Sequence, residues 1–121
     1  MIWLAIAVAG GLGAAARFLV DSLVTARIPS SAPWGTATVN VSGSFAAGLV
    51  AGGVATGVLA GPTGVVIAGG FLGAYTTFST AMLQAAEQWL DGRRGAGLIN
   101  LVGSLIASVG AAGIGVLVTG P

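Results

Sequence analysis

The fold is decided by a stretch of sequence that carries no charged side chain, IPSSAPWGTATVNVSGSFAAGLVAGGVATGVLAGPTGVVIAGGFLGAYTTFSTAMLQAA (residues 28–86). A helix needs about 20 apolar residues to cross a hydrocarbon layer roughly 30 Å thick, so this stretch is long enough for two crossings. The sequence GPTG at residues 61–64, which is typical of a turn, divides it. We therefore predict one helix over about residues 34–59 and another over about residues 65–90.

The apolar segments on either side of this stretch supply one further crossing each. We predict these helices over about residues 2–24 and residues 96–118. No basic residue precedes the first apolar run, so we expect it to be a retained helix rather than a cleaved signal peptide. The sequence therefore predicts an all-α integral membrane protein, with a single four-helix transmembrane domain over residues 1–121 that crosses the cell membrane several times.

The composition of the chain agrees with a membrane location and excludes several kinds of chemistry. Of its 121 residues 55% are hydrophobic and 6% are charged, and the mean hydropathy is +1.01. Cysteine and histidine are both absent, which excludes zinc and haem sites, thiol chemistry and imidazole catalysis. The net charge of +1 argues against nucleic acid as a partner. We predict no catalytic residues.

The arginines indicate how the chain is oriented in the membrane. Arg27, Arg93 and Arg94 fall in or beside the first and third predicted loops, whereas the opposite side carries no Lys or Arg. Loops that carry an excess of positive charge usually face the cytoplasm. We therefore expect both termini to face outward.

The glycines of the predicted helices are spaced for close helix packing. The chain has 22 glycines, several of them four residues apart, as at Gly48 and Gly52 or Gly69 and Gly73. Small residues at this spacing let helix backbones approach closely in lipid, where burying apolar surface brings no gain. Because four short helices enclose little volume, a transport path through this chain favours an oligomer.

Two stripes of polar side chains run along predicted membrane helices, and polar side chains at membrane depth are costly. Each stripe has a spacing of four residues and therefore lies on one helix face. Their members are Thr36, Asn40 and Ser44 on the second helix and Asn100, Ser104 and Ser108 on the fourth. The stripes can bond to helix backbones or bridge two helices, or they can line a wetted path.

The middle of the third predicted helix has an unusual composition. Residues 69–80 (GGFLGAYTTFST) combine glycines with hydroxyl side chains that compete for backbone hydrogen bonds. We predict that the helix breaks here, with a simple kink as the alternative. A break inside a membrane is tolerated where the freed backbone lines a cavity, and freed carbonyls are suitable ligands for a cation.

Arg17 is the one basic residue within a predicted crossing. Asp21, one turn later, can neutralise it, or the side chain can extend to the lipid headgroups. The other interpretation is a positively charged vestibule that attracts anions.

Three segments together make the chain resemble a known family. They are GGLGAAARF at residues 10–18, WGTATVNVSGSF at residues 34–45 and GFLGAYTTFST at residues 70–80. These segments are similar to those of the Fluc (CrcB) fluoride channels, and the likeness extends over essentially the whole chain. The resemblance implies an antiparallel dimer with two narrow pores that exports fluoride passively from the cytoplasm.

The resemblance also implies roles for individual residues. Asn40 matches the pore asparagine whose amide donates to the ion, Phe78 matches the first of two pore phenylalanines, and Arg17 matches the arginine of the first helix. The remaining implied roles are a structural, untransported Na⁺ on the backbone carbonyls of Gly73 and Thr76 from both subunits, a polar track at Ser104 and Ser108, and a donor hydroxyl at Thr77.

Two residues depart from the family pattern. Ala81 occupies the place of the second pore phenylalanine, and Asn100 occupies that of a tyrosine on the fourth helix. A protein that inserts in both orientations should have balanced charge, whereas the arginines here lie on one side. We therefore expect a pair with a second family member of opposite orientation. The alternative is a homodimer with modified pores.

Proteins of two other classes also fit four short membrane helices. A small multidrug-type exporter coupled to protons would need a carboxylate within the first helix, but residues 2–16 contain none and Asp21 lies near its end. A non-conducting scaffold subunit would use glycine-rich helices for association alone. Both remain alternatives to a channel.

Overall fold

The computed structural model describes all residues from Met1 to Pro121, and all its regular elements are helices. Four helical segments are long and apolar enough to cross a membrane, and they span Ile2–Arg27, Trp34–Ala55, Gly61–Leu90 and Arg94–Thr119. We call the first two α1 (Ile2–Arg27) and α2 (Trp34–Ala55). The predicted all-α architecture with four membrane helices is confirmed.

The third span consists of several helical pieces. It begins with α3 (Gly61–Val65), continues as a π-helical segment (Val66–Leu72) and a short α4 (Gly73–Tyr75), and resumes as α5 (Phe78–Leu90). Thr76, with φ −80° and ψ 156°, and Thr77, with φ −148° and ψ 116°, are extended between α4 and α5. The span is therefore truly broken near its middle, as predicted, and the alternative of a simple kink is excluded.

The turn between the second and third spans lies earlier in the chain than predicted. α2 ends at Ala55, and Gly57 adopts a left-handed conformation with φ 75°. The Leu59 N–H donates to the carbonyl of Gly53 at 2.9 Å, which closes the end of the helix. The prediction of a turn at residues 61–64 is wrong, because Pro62 lies in the first helical turn of α3, where its missing N–H costs nothing.

Contacts at glycine hold the spans together. A methyl group on Gly48 of α2 would overlap the carbonyl oxygen of Ala112 in the last helix, α6 (Arg94–Thr119). In the same way, Gly13 of α1 lies against the carbonyl of Phe71 in the π-helical segment. Side chains are thus excluded where the backbones meet, as expected for helices that associate in lipid.

The four spans do not enclose a core of their own. Only 15 of the 121 residues are buried, and Val39 is the one large side chain that is fully buried. Large apolar side chains remain exposed along the spans, among them Leu12, Leu105 and Ile106. Lipid tails or other protein helices must cover this surface in a membrane.

Arginine and tryptophan side chains cluster at one end of the bundle. Arg27 ends α1 and Arg94 begins α6, while Trp34 and Trp89 lie at the adjoining ends of α2 and α5. The Arg94 guanidinium lies 5.5 Å from the centre of the Trp89 ring, in a cation–π contact. Indole rings favour the boundary between lipid and water, so this end lies at a membrane surface.

The close contact at Gly48 leads to a prediction about stability. We expect Gly48→Ala to destabilise the protein by about 1–3 kcal/mol, because the added methyl group forces α2 and α6 apart. Thermal unfolding of the purified protein in detergent measures the effect. Gly11→Ala is the control, since Gly11 has no atom within 4 Å of the position of an added methyl. Equal melting temperatures for the two variants would contradict the packing described.

Candidate functional site

A cavity of about 360 Å³ lies beside the break in the third span. Its walls come from α2, from the residues around the break and from α6. With the exception of Arg17, all the residues predicted to form the pore or the cation site line it, namely Asn40, Gly73, Thr76, Thr77, Phe78, Ser104 and Ser108. The structure thus brings together residues from three different spans. No ionisable side chain lines this cavity.

Asn40 binds the broken backbone through both atoms of its side-chain amide. Its Nδ2 donates to the carbonyl oxygen of Thr77 at 2.8 Å, and its Oδ1 accepts from the Thr77 N–H, also at 2.8 Å. The opposite orientation of the amide would place donor against donor and acceptor against acceptor, so the hydrogen bonds fix it. An amide nitrogen carries two hydrogens, and the second N–H of Asn40 has no partner in the protein.

Thr77 also caps the helix that follows the break. Its Oγ1 accepts a hydrogen bond from the Thr80 N–H at 3.3 Å, and its hydroxyl group donates to Thr80 Oγ1 at 3.0 Å. A threonine that accepts from the N–H three residues later is a typical N-cap. Its hydroxyl group is therefore engaged in local hydrogen bonds, and its role as a donor to an ion remains a prediction.

The break releases the last backbone carbonyls before it from their normal partners, among them those of Gly73 and Thr76. In a regular helix the carbonyl of Gly73 would accept from the Thr77 N–H, and that of Thr76 from the Thr80 N–H. Here the Thr77 N–H donates to Asn40, and the Thr80 N–H donates to the side chain of Thr77. Carbonyl oxygens without a donor are suitable ligands for a hard cation. The donor set therefore fits the predicted sodium site at Gly73 and Thr76.

Phe78, at the surface of the chain, and residues of α6 also line the cavity. The Phe78 side chain is 75% exposed, so its ring is not held by packing within this chain. Ala81, where the family pattern has a second phenylalanine, also lines the cavity. Ser104 lines both this cavity and a larger, mostly apolar groove of about 1010 Å³ between α2 and α6.

The comparisons with known proteins identify the family. The family model described as CrcB-like protein, Camphor Resistance (CrcB), matches residues 4–116. The chain belongs to the CrcB family. This match covers the three spans that line the cavity.

Members of the CrcB family that resemble the chain have names that state an activity. The chain is 40% identical over 120 residues to the fluoride-specific ion channel FluC 1 of Leifsonia xyli, covering 99% of this chain and 88% of that protein. It is 40% identical over 115 residues to the fluoride-specific ion channel FluC 2 of Mycobacterium bovis, with coverages of 94% and 87%. The fluoride-specific ion channel FluC 1 of Nocardia farcinica is 45% identical over 102 residues, with coverages of 84% and 69%.

Arg17 is the predicted site residue of this CrcB chain that the structure does not place at the cavity. It lies partly exposed on α1, and it forms no ion pair with Asp21. The Asp21 carboxylate instead packs against the backbone of Gly35 at the start of α2. The interpretation that Asp21 neutralises Arg17 is therefore wrong, because Asp21 faces a different helix.

Contacts between α2 and the residues just before the break were not predicted from the sequence. The Ser42 hydroxyl lies 3.0 Å from the Tyr75 hydroxyl, just before the break, and Gly43 lies against the side chains of Tyr75 and Thr76. The only signal for these contacts was that Ser42 and Gly43 follow Asn40 within one turn of α2.

A second missed group lies where α5 packs on α6. The Ser104 hydroxyl donates to Asn100 Oδ1 at 3.4 Å, whereas Asn100 Nδ2 and Gln84 Oε1 are buried without partners. Asn100 itself lines the larger groove rather than the cavity. The polar stripe of α6 is therefore divided between the two spaces, with Ser104 at the boundary between them.

The N-cap at Thr77 leads to a second prediction. We expect Thr77→Ala to cost about 0.5–2 kcal/mol of stability, because the Thr80 N–H loses its side-chain acceptor. Thr77→Ser keeps the hydroxyl group and should recover most of this loss. Thermal unfolding of both variants measures the difference. If serine were as destabilising as alanine, the hydroxyl would not be the capping group.

Proposed function

We propose that the chain is a fluoride-specific ion channel, which exports fluoride passively from the cytoplasm through the cell membrane and so lowers its intracellular concentration. The observation that carries this proposal is the uncharged cavity at the break, where Asn40, Phe78 and Ser104 meet. The names of its CrcB relatives, which are fluoride-specific ion channels, support the same function.

The chemistry of the cavity suits a small and strongly hydrated anion. A selective pore has to replace the water around fluoride with close hydrogen-bond donors. The free N–H of Asn40 and the hydroxyl of Ser108 can supply them, since both line the cavity, and the Ser104 hydroxyl can do so if it turns away from Asn100 Oδ1. The edge of the Phe78 ring carries partial positive charge and can contact the anion without a permanent charge. A ring of arginines would also bind chloride.

Transport through such a site needs no covalent step. No ionisable side chain lines the cavity. The proposal that the chain is a channel and not an enzyme is supported by the names of its relatives, which are ion channels. Arg17, which is partly exposed on α1, would act outside the pore by raising the local concentration of anions.

A sodium ion fits the freed carbonyls of Gly73 and Thr76. Its chemical contribution would be a fixed positive charge that holds together backbone segments with no other hydrogen-bond partner. Hard cations bind several oxygen ligands, so the two carbonyls of one chain are too few. This supports a shared structural ion that joins two subunits and is not itself transported.

The assembly that we propose is an antiparallel dimer, formed either with a second copy or with a second family member of opposite orientation. The exposed Phe78 ring and the large apolar groove give each chain surface for a partner to cover. Because the loop arginines lie at one end, the chain favours one orientation, and this supports a pair with a different protein. The names FluC 1 and FluC 2 among its relatives are consistent with paired members.

Flux measurements on Asn40→Asp test the pore assignment. The substitution replaces an amide donor by a carboxylate that only accepts and that repels an anion. A hydrogen bond to a charged group contributes about 1.5–3 kcal/mol, so we expect fluoride efflux from loaded liposomes to fall by more than about tenfold. Gel filtration should show that the variant still assembles. Unchanged flux in the variant would contradict a pore at Asn40.

The same liposomes separate the channel from its alternatives. Fluoride efflux without a proton gradient indicates a channel, whereas exchange of drugs for protons would indicate a multidrug-type exporter. A protein that supports neither process would be a scaffold subunit.

Expression alone and with a partner tests the assembly. We expect the chain by itself to give little fluoride flux, and flux to appear after co-expression with a family member whose arginines lie at the opposite end. Rescue of a fluoride-sensitive cell provides a second measurement. Full flux from the purified homodimer would contradict the need for a partner and would favour a homodimer with modified pores.

A further inference from the structure

The side chain of Asn40 takes the place of two backbone partners at the break. It accepts the hydrogen bond from the Thr77 N–H and donates one to the Thr77 carbonyl, both at 2.8 Å. Asn40 lies on α2, 37 positions earlier in the chain. The conformation of the broken span is therefore fixed in part from a neighbouring helix, in addition to the cap that Thr77 forms within the span.

The acceptor atom of this amide, Asn40 Oδ1, determines whether the Gly73 carbonyl has a hydrogen-bond donor. In an unbroken helix that carbonyl would be the acceptor for the Thr77 N–H. Because Asn40 Oδ1 receives this N–H instead, the Gly73 oxygen has no backbone donor and can bind a cation. We infer that Asn40 is a positioning residue for the cation site, acting through Thr77 to keep the Gly73 carbonyl available. This inference rests on the proposed function, since the site is the sodium site of that channel.

Neighbouring contacts make Asn40 the decisive member of this arrangement. Ser42 and Gly43 hold Tyr75 and the Thr76 side chain against α2, so the chain enters the break in a fixed place. The second freed carbonyl, that of Thr76, depends on the cap formed by Thr77 and not on Asn40. A buried N–H without an acceptor is unfavourable in an apolar layer. Without Asn40, the Thr77 N–H would therefore turn to the Gly73 carbonyl and withdraw it from the cation.

This arrangement couples the cation site to the pore. The same Asn40 amide that receives the Thr77 N–H has a second N–H and lines the cavity. Any change in the break that moves Thr77 therefore also moves a donor in the wall of the cavity. Occupancy of the cation site and the shape of the pore are thus linked by one side chain, and such coupling acts in both directions.

Sodium-dependent melting temperatures of three variants test the inference. The purified protein, with its family partner where flux requires one, is titrated with sodium chloride against choline chloride at constant ionic strength. Asn40→Leu removes both hydrogen bonds, and Asn40→Ser provides a second variant whose shorter side chain does not reach Thr77. Asn40→Asp keeps an oxygen that can accept the Thr77 N–H. Ser44→Ala is the control, because Ser44 lines the same cavity but makes no hydrogen bond to the break.

We expect the leucine and serine variants to bind sodium about 10–100-fold more weakly than the original protein, as is typical when the residue that orients a metal ligand is lost. The aspartate variant should retain a sodium-dependent shift, although its fluoride flux falls. The control should match the original protein. Original sodium affinity in the leucine or serine variant would overturn the inference. Because the second oxygen of aspartate faces the Thr77 carbonyl, we expect the sodium affinity of that variant to lie between those of the leucine variant and the original protein.

Two outcomes separate this inference from the proposed function. If the original protein conducts fluoride and the leucine variant keeps its sodium affinity, the positioning role fails and the channel stands. If the sodium affinities of the original protein and its variants follow the expected order but the original protein leaves fluoride-loaded liposomes sealed, the channel proposal fails and the positioning role stands. An original protein without any sodium-dependent shift would overturn the positioning role.

Discussion

The structure depends on the need to satisfy a broken backbone inside an apolar layer. Water is not available at that depth, so each freed N–H and carbonyl needs a partner within the protein. Asn40 supplies two partners to Thr77, and the Thr77 side chain supplies one to the helix that follows. Because these hydrogen bonds leave the carbonyls of Gly73 and Thr76 without their regular donors, the solution of one structural problem leaves oxygen atoms that the proposed sodium ion would bind.

The spans could be predicted from the sequence, but the exact position of the break could not. Long stretches without charge determine where helices cross, since length and polarity are local properties. The composition of residues 69–80 predicted a break, yet Gly69, Gly70 and Gly73 remain helical and the chain opens at Thr76 and Thr77. Glycine lowers the cost of opening a helix, whereas the place of opening is set by Asn40, which belongs to another helix.

The candidate site was predictable in its members but less so in its contacts. The family resemblance indicated the residues that line the cavity, because a sequence motif consists of residue types in a fixed order. It gave no information on pairings across helices, such as Ser42 with Tyr75, or on the separation of Asp21 from Arg17. The turn was predicted too late in the chain for a related reason. Pro62 is as acceptable in the first turn of a helix as in a loop, and only the left-handed conformation of Gly57 shows that the turn comes before Pro62.

One chain provides only part of the site. This is relevant to the two residues that depart from the family pattern, Ala81 and Asn100. A hard cation needs more oxygen ligands than the carbonyls of Gly73 and Thr76, and the Phe78 ring has no packing partner in its own chain. A second subunit would supply both the missing oxygen ligands and a packing partner for the Phe78 ring. In the pair proposed above, Ala81 would weaken only the cavity wall that this chain contributes, Asn100 lies in the larger groove, and a partner with both aromatic residues would form the remaining walls. If one pore of the proposed pair is enough for export, the arginines at one end of the chain would then favour two different subunits over two identical ones.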